Sequence, residues 1–285
     1  MALARRFAAS NRLLAARFLS SAKCETEGVY PGNNTLKFTS ELDVYDPAKL
    51  PRRPVFRMMD TNGKLRPGVK APELDQQTAV KMYRTMGMLQ AFDDVFYNVQ
   101  RQGRISFYMQ NAGEEAVQVG SAAALTLDDV IFAQYREAGV IMWRGFSVQS
   151  MADQCFSNKD DLGKGRQMPV HYGTVEHNIH TISSPLATQI PQAAGAAYAL
   201  KMAKKKAIAM CYFGEGAASE GDFHAALNFA STTDAPVVFF CRNNGFAIST
   251  PVKDQYRGDG IISRAAGYGM HSIRVDGNDV FAVYE

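Results

Sequence analysis

Cysteine is scarce in this sequence and follows no recognisable spacing. The four cysteines stand at positions 24, 155, 211 and 241, which matches neither the paired spacing of a zinc site nor the dense pattern of a disulfide scaffold. Cys211 and Cys241 fall inside apolar, strand-like runs, where a thiol usually packs as a small hydrophobic side chain. These features fit a protein of a reducing compartment.

A large excess of charge and a long apolar run are also missing. The formal net charge is +3, and part of it lies in the N-terminal segment, so no nucleic-acid surface is indicated. Residues 181–200 carry no formal charge, but their prolines and polar side chains exclude a membrane span. This stretch instead predicts a loop over 182–189, followed by an Ala-rich helix from Pro191.

Acidic residues are absent before Glu25. Residues 1–23 mix Ala, Leu, Phe and Ser with arginine, a composition typical of a mitochondrial transit peptide. We therefore expect a protein of the mitochondrial matrix, and a basic amphipathic surface helix is the alternative interpretation. Residues 24–72 have little periodicity and predict an extended N-terminal arm with a short strand at 55–58. The arginines of residues 1–23 are Arg5, Arg6, Arg12 and Arg17.

Helical periodicity begins after this arm and opens an α/β domain that we place at 73–285. Large apolar residues recur every three or four positions, which predicts one long helix over 75–102 that ends at Gly103. A second, Ala-rich helix is expected over 113–125, and residues 154–172 are expected to form a loop. The apolar stripe of the long helix is Met82, Met86, Leu89, Phe92, Phe96 and Val99.

The C-terminal part predicts three short elements. We expect a small helix over 261–268 and a strand with a turn over 271–277. Asn278 or Asp279 would then cap a last helix. A helix of about six residues is marginal unless it packs against other elements.

The middle of the chain alternates buried strands with a helix. Apolar runs at 207–213 and 236–241 predict strands, and Phe223, Ala226, Leu227 and Ala230 give 223–231 a helical stripe. Strand, helix and strand form a βαβ unit of a mostly parallel sheet flanked by helices. Ligands of such sheets bind beyond the carboxyl ends of the strands.

Two turns fall at that edge of the sheet. A Gly-x-Gly turn at 214–216 lets backbone amides approach an anion closely, but Glu215 would repel a bare phosphate. A Mg²⁺ ion between them removes this conflict, and Asn244, after the next strand, can offer an amide oxygen. A dinucleotide fingerprint lacks its third glycine because position 219 is Ser219, and 163–165 lacks the hydroxyl of a Walker loop. Two ordinary turns remain the alternative.

Three further side chains are candidates for binding. A strand is expected at 130–133, so Tyr135 and Arg136 follow its carboxyl end, where an arginine fork can hold diphosphate oxygens. A surface salt bridge of Arg136 is the alternative. His171 lies in the expected loop and either contacts substrate or is a buried, hydrogen-bonded structural histidine.

The pair of turns resembles the thiamine-diphosphate motif, in which Gly-Asp/Glu-Gly and Asn-Asn are separated by a spacer like the 26 residues of 217–242. Residues 183–192, 214–222 and 239–250 resemble the alpha subunit of the branched-chain 2-oxo acid dehydrogenase first component, and the resemblance extends from about Pro31 to the end. The related pyruvate enzyme usually has Gly-Asp-Gly and an acidic residue where Arg242 stands.

This resemblance implies the thiamine-diphosphate-binding fold with thiamine diphosphate, Mg²⁺ and K⁺ as cofactors. Magnesium would be held by Glu215, Asn244 and the backbone of Phe246, a position that is commonly tyrosine in the family. Potassium would be held by Ser183, Pro185, Thr188 and Gln189. The residues implied to contact thiamine diphosphate are Tyr135, Arg136, Ser184, Leu186, Gly216, Ala217 and Arg242.

The resemblance also implies partners. A beta subunit would supply the carboxylate that activates the cofactor, in a heterotetramer of two alpha and two beta chains. A branched-chain 2-oxo acid would be decarboxylated oxidatively, and its acyl group passed to the lipoyl acyltransferase core. Family sequences continue beyond residue 285, so we expect a truncated product, and a non-catalytic subunit that binds the beta partner is the alternative.

Overall fold

The computed structural model describes residues 27–31, 34–42 and 44–285. The expected transit peptide at 1–23 lies outside these residues. The chain divides at Leu50 into two compact units. In the first unit, β1 (Glu27–Tyr30) and β2 (Asn34–Lys37) form an antiparallel hairpin, and a 3₁₀ turn covers Pro47–Lys49. In the described part of the chain, no helix is long and apolar enough to cross a membrane.

The second unit, Pro51–Glu285, alternates helices and strands. A 3₁₀ turn covers Glu215–Ser219. The other elements, in chain order, are α1 (Gln76–Arg101), α2 (Glu115–Ala123), β3 (Val130–Phe132), α3 (Ala138–Trp143), α4 (Val148–Phe156), β4 (Ile179–His180), α5 (Gln189–Met202), β5 (Ala209–Gly214), α6 (Gly221–Thr232), β6 (Val237–Arg242), β7 (Phe246–Ala247), β8 (Thr250–Pro251), α7 (Val252–Gln255), α8 (Ile262–Gly267) and α9 (Val280–Tyr284).

A parallel four-stranded sheet is the centre of this unit, with the strand order β4-β3-β5-β6. Its strands are apolar on both faces, as expected of parallel strands covered by helices. On one side Ile131 packs in a core with Leu89 of α1 and Ile141 of α3. On the other side Phe213 packs with Ala194 of α5 and Phe223 of α6. The predicted α/β class, with a mostly parallel sheet flanked by helices, is confirmed.

The long helix follows the sequence signals closely. The Asp75 carboxylate caps α1 by accepting from the backbone N–H of Thr78 at 2.8 Å. The helix ends before Gly103, whose φ of 71° lies in the left-handed region that favours glycine. Met82, Leu89, Phe92 and Phe96 of the predicted stripe are buried. Hydrophobic burial along one face therefore explains why this segment is a helix of 26 residues.

The predicted βαβ unit is also present, as β5, α6 and β6, with the expected stripe of α6 buried. Cys211 is fully buried in β5, and burial raises the pKa of the Cys241 thiol in β6 to about 12. Both thiols are therefore neutral at physiological pH and behave as the small hydrophobic side chains that the sequence predicted.

Three helices were not expected, namely α3, α4 and the four-residue α7. The expected loop at 154–172 begins inside α4, so its first three residues are helical and this boundary was wrong. A capping signal was available, because the Ser147 hydroxyl accepts from the backbone N–H of Ser150 at 3.0 Å. The helix α3, which lies between Glu137 and Arg144, is only six residues long, so its apolar period was too short to recognise.

The strands expected at 55–58 and 271–277 are not formed. Among the residues that the structure describes, these two segments pair through a single parallel bridge between Phe56 and Val275. Two backbone hydrogen bonds make it, from Phe56 to the Arg274 carbonyl at 2.7 Å and from Asp276 to the Phe56 carbonyl at 3.1 Å. The apolar residues were recognised correctly, but within the described part of the chain no further strand pairs with either segment, so the ladder is not extended.

Asp279 ties the C-terminal helix to this bridge. Its Oδ1 caps α9 by accepting from Ala282 at 3.0 Å, as the sequence predicted for Asn278 or Asp279. Its Oδ2 accepts from the backbone N–H groups of Met58 and Met59 at 2.6 and 2.7 Å. The carboxylate is buried, so one side chain satisfies three backbone donors from two distant segments.

We expect Asp279→Ala to lower the free energy of unfolding by about 2–4 kcal/mol, because it removes a cap and leaves buried N–H groups without acceptors. Urea unfolding followed by circular dichroism measures this. The matched control is Asp254→Ala, which changes an exposed aspartate in the first turn of α7 and should change the stability by less than about 0.5 kcal/mol. Equal effects of the two substitutions would contradict the role of Asp279.

Candidate cofactor and metal site

The two turns of the expected motif meet at the carboxyl edge of the sheet. In the parallel register of β5 and β6, Gly214 lies opposite Arg242. Glu215 follows the first strand directly, and Asn244 follows the second by two residues. The structure therefore brings together residues that are almost thirty positions apart in the sequence, as the strand order predicted.

Gly216 is required by close packing at this turn. A Cβ atom at residue 216 would lie 2.7 Å from the Cβ of Ala247 in β7. The segment with Phe246 and Ala247 thus lies directly over the 3₁₀ turn. Ala217, the next residue, is buried. Close packing of β7 is the structural reason for glycine at position 216, whereas the sequence suggested the close approach of an anion.

Glu215 is a buried carboxylate with unused acceptor capacity. Only 1% of the residue is exposed, and the side-chain group that donates to it is Gln255 Nε2, at 3.5 Å. Burial raises the pKa of the Glu215 carboxyl above its ordinary value, although hydrogen bonds from Gln255 and from backbone N–H groups, including that of Asn244, oppose the rise. A cation bound here would offset the burial of this charge.

The two polar atoms of the Asn244 side chain, Nδ2 and Oδ1, have different hydrogen-bond partners. Its Nδ2 donates to Oε1 of Glu114 at 3.1 Å, and its Oδ1 accepts from the backbone N–H of Phe246 at 3.2 Å. The oxygen therefore lies on the side of the β6–β7 turn. Together, Glu215 and Asn244 supply the carboxylate and amide oxygens that Mg²⁺ prefers in proteins.

Arg242 lies between two carboxylates that the sequence analysis did not assign to the site. Its Nε donates to Oε1 of Glu137, and its Nη1 donates to Oε2 of Glu114 at 2.7 Å. Burial lowers the pKa of the guanidinium, but Glu137 and Glu114 outweigh this and raise it above the ordinary value. Among the described residues nothing accepts from Nη2, which leaves this nitrogen as a donor for an anion.

Hydrogen bonds fix the side chain of Glu137 as well as that of Arg242. The residue is fully buried, and its Oε2 accepts from the backbone N–H of Gln134 at 2.6 Å. Gln134 in turn accepts from the backbone N–H of Gly214 at 3.1 Å. Hydrogen bonds thus connect the ends of β3, β5 and β6. The sequence signal for Glu137 was its position in the short run after a buried strand, but no motif spacing distinguishes it from other glutamates.

Tyr135 and Arg136 form the turn after β3. The Tyr135 ring meets Phe107 edge to face, with centroids 6.0 Å apart. Arg136 Nη1 lies 3.4 Å from the Gln110 carbonyl oxygen. Within the described residues no carboxylate pairs with Arg136, so the alternative of a surface salt bridge finds no support. Its charge remains available for a ligand at the edge of the sheet.

His171 is the buried structural histidine of the two alternatives. Its Nδ1 lies 2.9 Å from the Pro169 carbonyl oxygen, which can only accept, so Nδ1 carries the proton. Its Nε2 then accepts from the Ser184 hydroxyl at 2.7 Å. The histidine therefore fixes the side chain of Ser184, whereas the neighbouring Leu186 is 40% exposed.

The loop expected to hold potassium lies between β4 and α5. The Thr188 hydroxyl is 3.3 Å from the Pro185 carbonyl oxygen, and buried Ala187 between them has a left-handed φ of 67°. Gln189 is buried and donates to the Tyr212 carbonyl at 3.0 Å. Thr188 and Pro185 are thus in direct contact, and Ser183, two residues before Pro185, is half-buried. The ion itself stays a prediction.

In the described part of the chain, no cluster of three or more His, Cys, Asp or Glu side chains could hold a metal. One carboxylate with amide and carbonyl oxygens suits a hard cation that also binds phosphate oxygens. The fold and this site together define an α/β domain that places a carboxylate, an amide and guanidinium groups at the strand ends.

Comparison with known proteins gives the family. The model of the family "Dehydrogenase E1 component" matches residues 83–285, and the chain belongs to this family. Its fold is the α/β fold of thiamine-diphosphate-dependent enzymes, and membership implies thiamine diphosphate as the cofactor.

Several similar proteins are named 2-oxoisovalerate dehydrogenase subunit alpha, mitochondrial. The mouse protein is 56% identical over 255 residues, 90% of this chain and 58% of the relative. The Caenorhabditis elegans protein is 54% identical over 261 residues, 91% of this chain and 61% of the relative. The alpha 2 protein of Arabidopsis thaliana is 54% identical over 90% of this chain and 54% of the relative. The chain thus spans just over half the length of these relatives.

We expect Glu215→Gln to raise the melting temperature of the chain by about 2–4 °C in the absence of metal and cofactor, because it removes a buried charge worth about 1 kcal/mol. Differential scanning fluorimetry in the presence of EDTA measures this. Glu220→Gln is the matched control, since Glu220 is exposed in the same segment. A lower melting temperature for Glu215→Gln would show that the carboxylate is already well compensated.

Proposed function

We propose that this chain is the alpha subunit of a branched-chain 2-oxo acid dehydrogenase of the mitochondrial matrix. With a beta subunit it catalyses the oxidative decarboxylation of branched-chain 2-oxo acids and transfers the acyl group to lipoyl groups of an acyltransferase core. The names of the similar proteins support the substrate class and the compartment. The membership of the E1 family supports the thiamine-diphosphate chemistry.

The observation that carries the proposal is the meeting of Glu215, Arg242 and Asn244 at adjacent strand ends. Glu215, Asn244 and the Phe246 carbonyl would hold Mg²⁺, while Arg242 Nη2 and Arg136 would donate to diphosphate oxygens. Tyr135, Gly216 and Ala217 would complete the contacts of the diphosphate. When bound, thiamine diphosphate supplies the nucleophilic carbanion and the electron sink for loss of CO₂.

The charges of the site explain why a divalent cation is needed. Glu114, Glu137 and Glu215 contribute three formal negative charges, and Arg136 and Arg242 contribute two positive ones. A diphosphate added to this set would face a net repulsion, because both are negative. A Mg²⁺ ion held by Glu215 and Asn244 would offset this repulsion and supply positive charge to the diphosphate.

The remaining assigned residues orient the other end of the cofactor. Ser184, fixed by His171, and the exposed Leu186 would contact the aminopyrimidine ring. A K⁺ ion held by Ser183, Pro185, Thr188 and Gln189 would keep this loop in place. The carboxylate that activates the ring would come from the beta subunit, so we propose that activity requires a heterotetramer of two alpha and two beta chains.

The experiment that tests this function measures release of CO₂ from carboxyl-labelled 3-methyl-2-oxobutanoate. The chain is co-expressed with a beta subunit and assayed with thiamine diphosphate, Mg²⁺ and an artificial electron acceptor. We expect activity above that of the beta subunit alone. Glu215→Ala or Asn244→Ala should reduce the affinity for the magnesium-bound cofactor at least about tenfold, because each removes a metal ligand.

The matched control for these substitutions is Asn228→Ala, an exposed asparagine on α6 away from the strand ends. It should leave cofactor affinity and activity unchanged. Absence of CO₂ release from a complex shown to assemble would contradict the proposed activity. Unchanged cofactor affinity in both Glu215→Ala and Asn244→Ala would contradict the metal assignment.

Potassium should stabilise the loop before α5. We expect the melting temperature of the protein to fall by a few degrees when K⁺ is replaced by Na⁺, because the smaller ion fits loop oxygens spaced for K⁺ less well. Thr188→Val, which removes one oxygen at nearly constant shape, should abolish this difference. Melting temperatures that do not depend on the ion would argue against a potassium site.

A further inference from the structure

Glu114, at the start of α2, contacts two residues of the proposed cofactor site at once. Its Oε2 accepts from Arg242 Nη1 at 2.7 Å, and its Oε1 accepts from Asn244 Nδ2 at 3.1 Å. We propose that Glu114 is a positioning residue that sets the orientation of the Asn244 carboxamide and of the Arg242 guanidinium. This inference rests on the proposed function and names a residue that no sequence motif includes.

A carboxylate such as that of Glu114 restricts the orientation of the side chains that it contacts. It only accepts hydrogen bonds, so Asn244 must turn its Nδ2 toward Glu114 and its Oδ1 away from it. The backbone N–H of Phe246 reinforces this choice by donating to Oδ1. The oxygen is thereby kept away from Glu114, on the side of the β6–β7 turn that carries the proposed ligand Phe246. With the reverse orientation, the turn would face an NH₂ group, which cannot bind a cation.

Glu114 has the same kind of effect on Arg242. With Glu137 on Nε and Glu114 on Nη1, the plane of the guanidinium is fixed and Nη2 is its open donor. The side chain of Arg242 is 3% exposed and that of Glu114 is 17% exposed, so water competes little for these contacts. One carboxylate thus connects a metal ligand to a phosphate donor.

Glutamine cannot replace this glutamate. A carboxamide has one acceptor oxygen and one donor nitrogen. If its oxygen accepts from Arg242, its NH₂ group faces Nδ2 of Asn244, and the asparagine is driven to reverse. If its oxygen accepts from Asn244, its NH₂ group faces the guanidinium. Only a carboxylate accepts from both, which makes Glu114→Gln a nearly isosteric test.

The position of Glu114 is itself held from the core. Its backbone N–H donates to the Asn111 carbonyl at 2.9 Å. Asn111 is held by buried Asp93 of α1, which accepts from its backbone N–H at 2.5 Å and from its Nδ2 at 2.9 Å. The segment also supplies the Gln110 carbonyl that contacts Arg136. A polar anchor in the core therefore places the loop that supports the strand-end site.

The test compares Glu114→Gln with Glu115→Gln in the assembled complex with the beta subunit. Glu115 is also half-buried, but it contacts Gln90 and the backbone of Gly113 instead. Isothermal titration calorimetry measures binding of thiamine diphosphate at several Mg²⁺ concentrations. We expect Glu114→Gln to weaken binding about tenfold and to raise the Mg²⁺ concentration needed for half-saturation. Glu115→Gln should stay within about twofold of the unsubstituted protein.

A double-mutant cycle separates positioning from general destabilisation. If Glu114 acts through Asn244, Glu114→Gln should cost much less affinity in an Asn244→Ala background than alone. Glu114→Asp, which keeps the charge but shortens the reach, serves if the first variant does not assemble, and should also raise the Mg²⁺ requirement. Unchanged Mg²⁺ dependence in the variant that assembles, or full additivity with Asn244→Ala, would overturn the inference. If the unsubstituted complex binds no cofactor, the proposed function fails instead.

Discussion

The buried ion pairs of Arg242 are the interaction on which the candidate site depends. Removing a guanidinium and two carboxylates from water is costly, and the cost is offset only when the geometry satisfies each group. Here Glu137 also accepts from Gln134, and Glu114 also accepts from Asn244. The pairs join the turn after β3, the start of α2 and the end of β6. They therefore fix three segments around the point where Glu215 leaves β5.

The parallel sheet explains why these segments meet at all. Parallel strands present all their carboxyl ends at one edge, so every residue that follows a strand there is a neighbour of the others. Apolar strands covered by helices on both sides hold this edge rigidly. Charged and amide side chains can then be placed beside one another with little freedom. Preorganised groups of this kind favour tight binding of an anion with its metal ion.

Sequence patterns were sufficient wherever one local property decided the structure. The stripe of α1 and its end before Gly103 were recognisable because a single helix face is buried. The same holds for the βαβ unit around Glu215. Local patterns failed where pairing depended on distant neighbours. The segments near Phe56 and Val275 are apolar, yet they form a single bridge, because no third strand among the described residues pairs with them.

The sequence by itself determined the α/β class, the βαβ unit, and the placing of Glu215, Arg242 and Asn244 at strand ends. These follow from periodicity, glycine and chain order, which are local properties. Only the tertiary structure decided that Glu114 and Glu137 enclose Arg242, that His171 holds Ser184, and that Asp279 holds Met58 and Met59. Such contacts join residues up to 221 positions apart, and no local pattern encodes which buried polar group meets which.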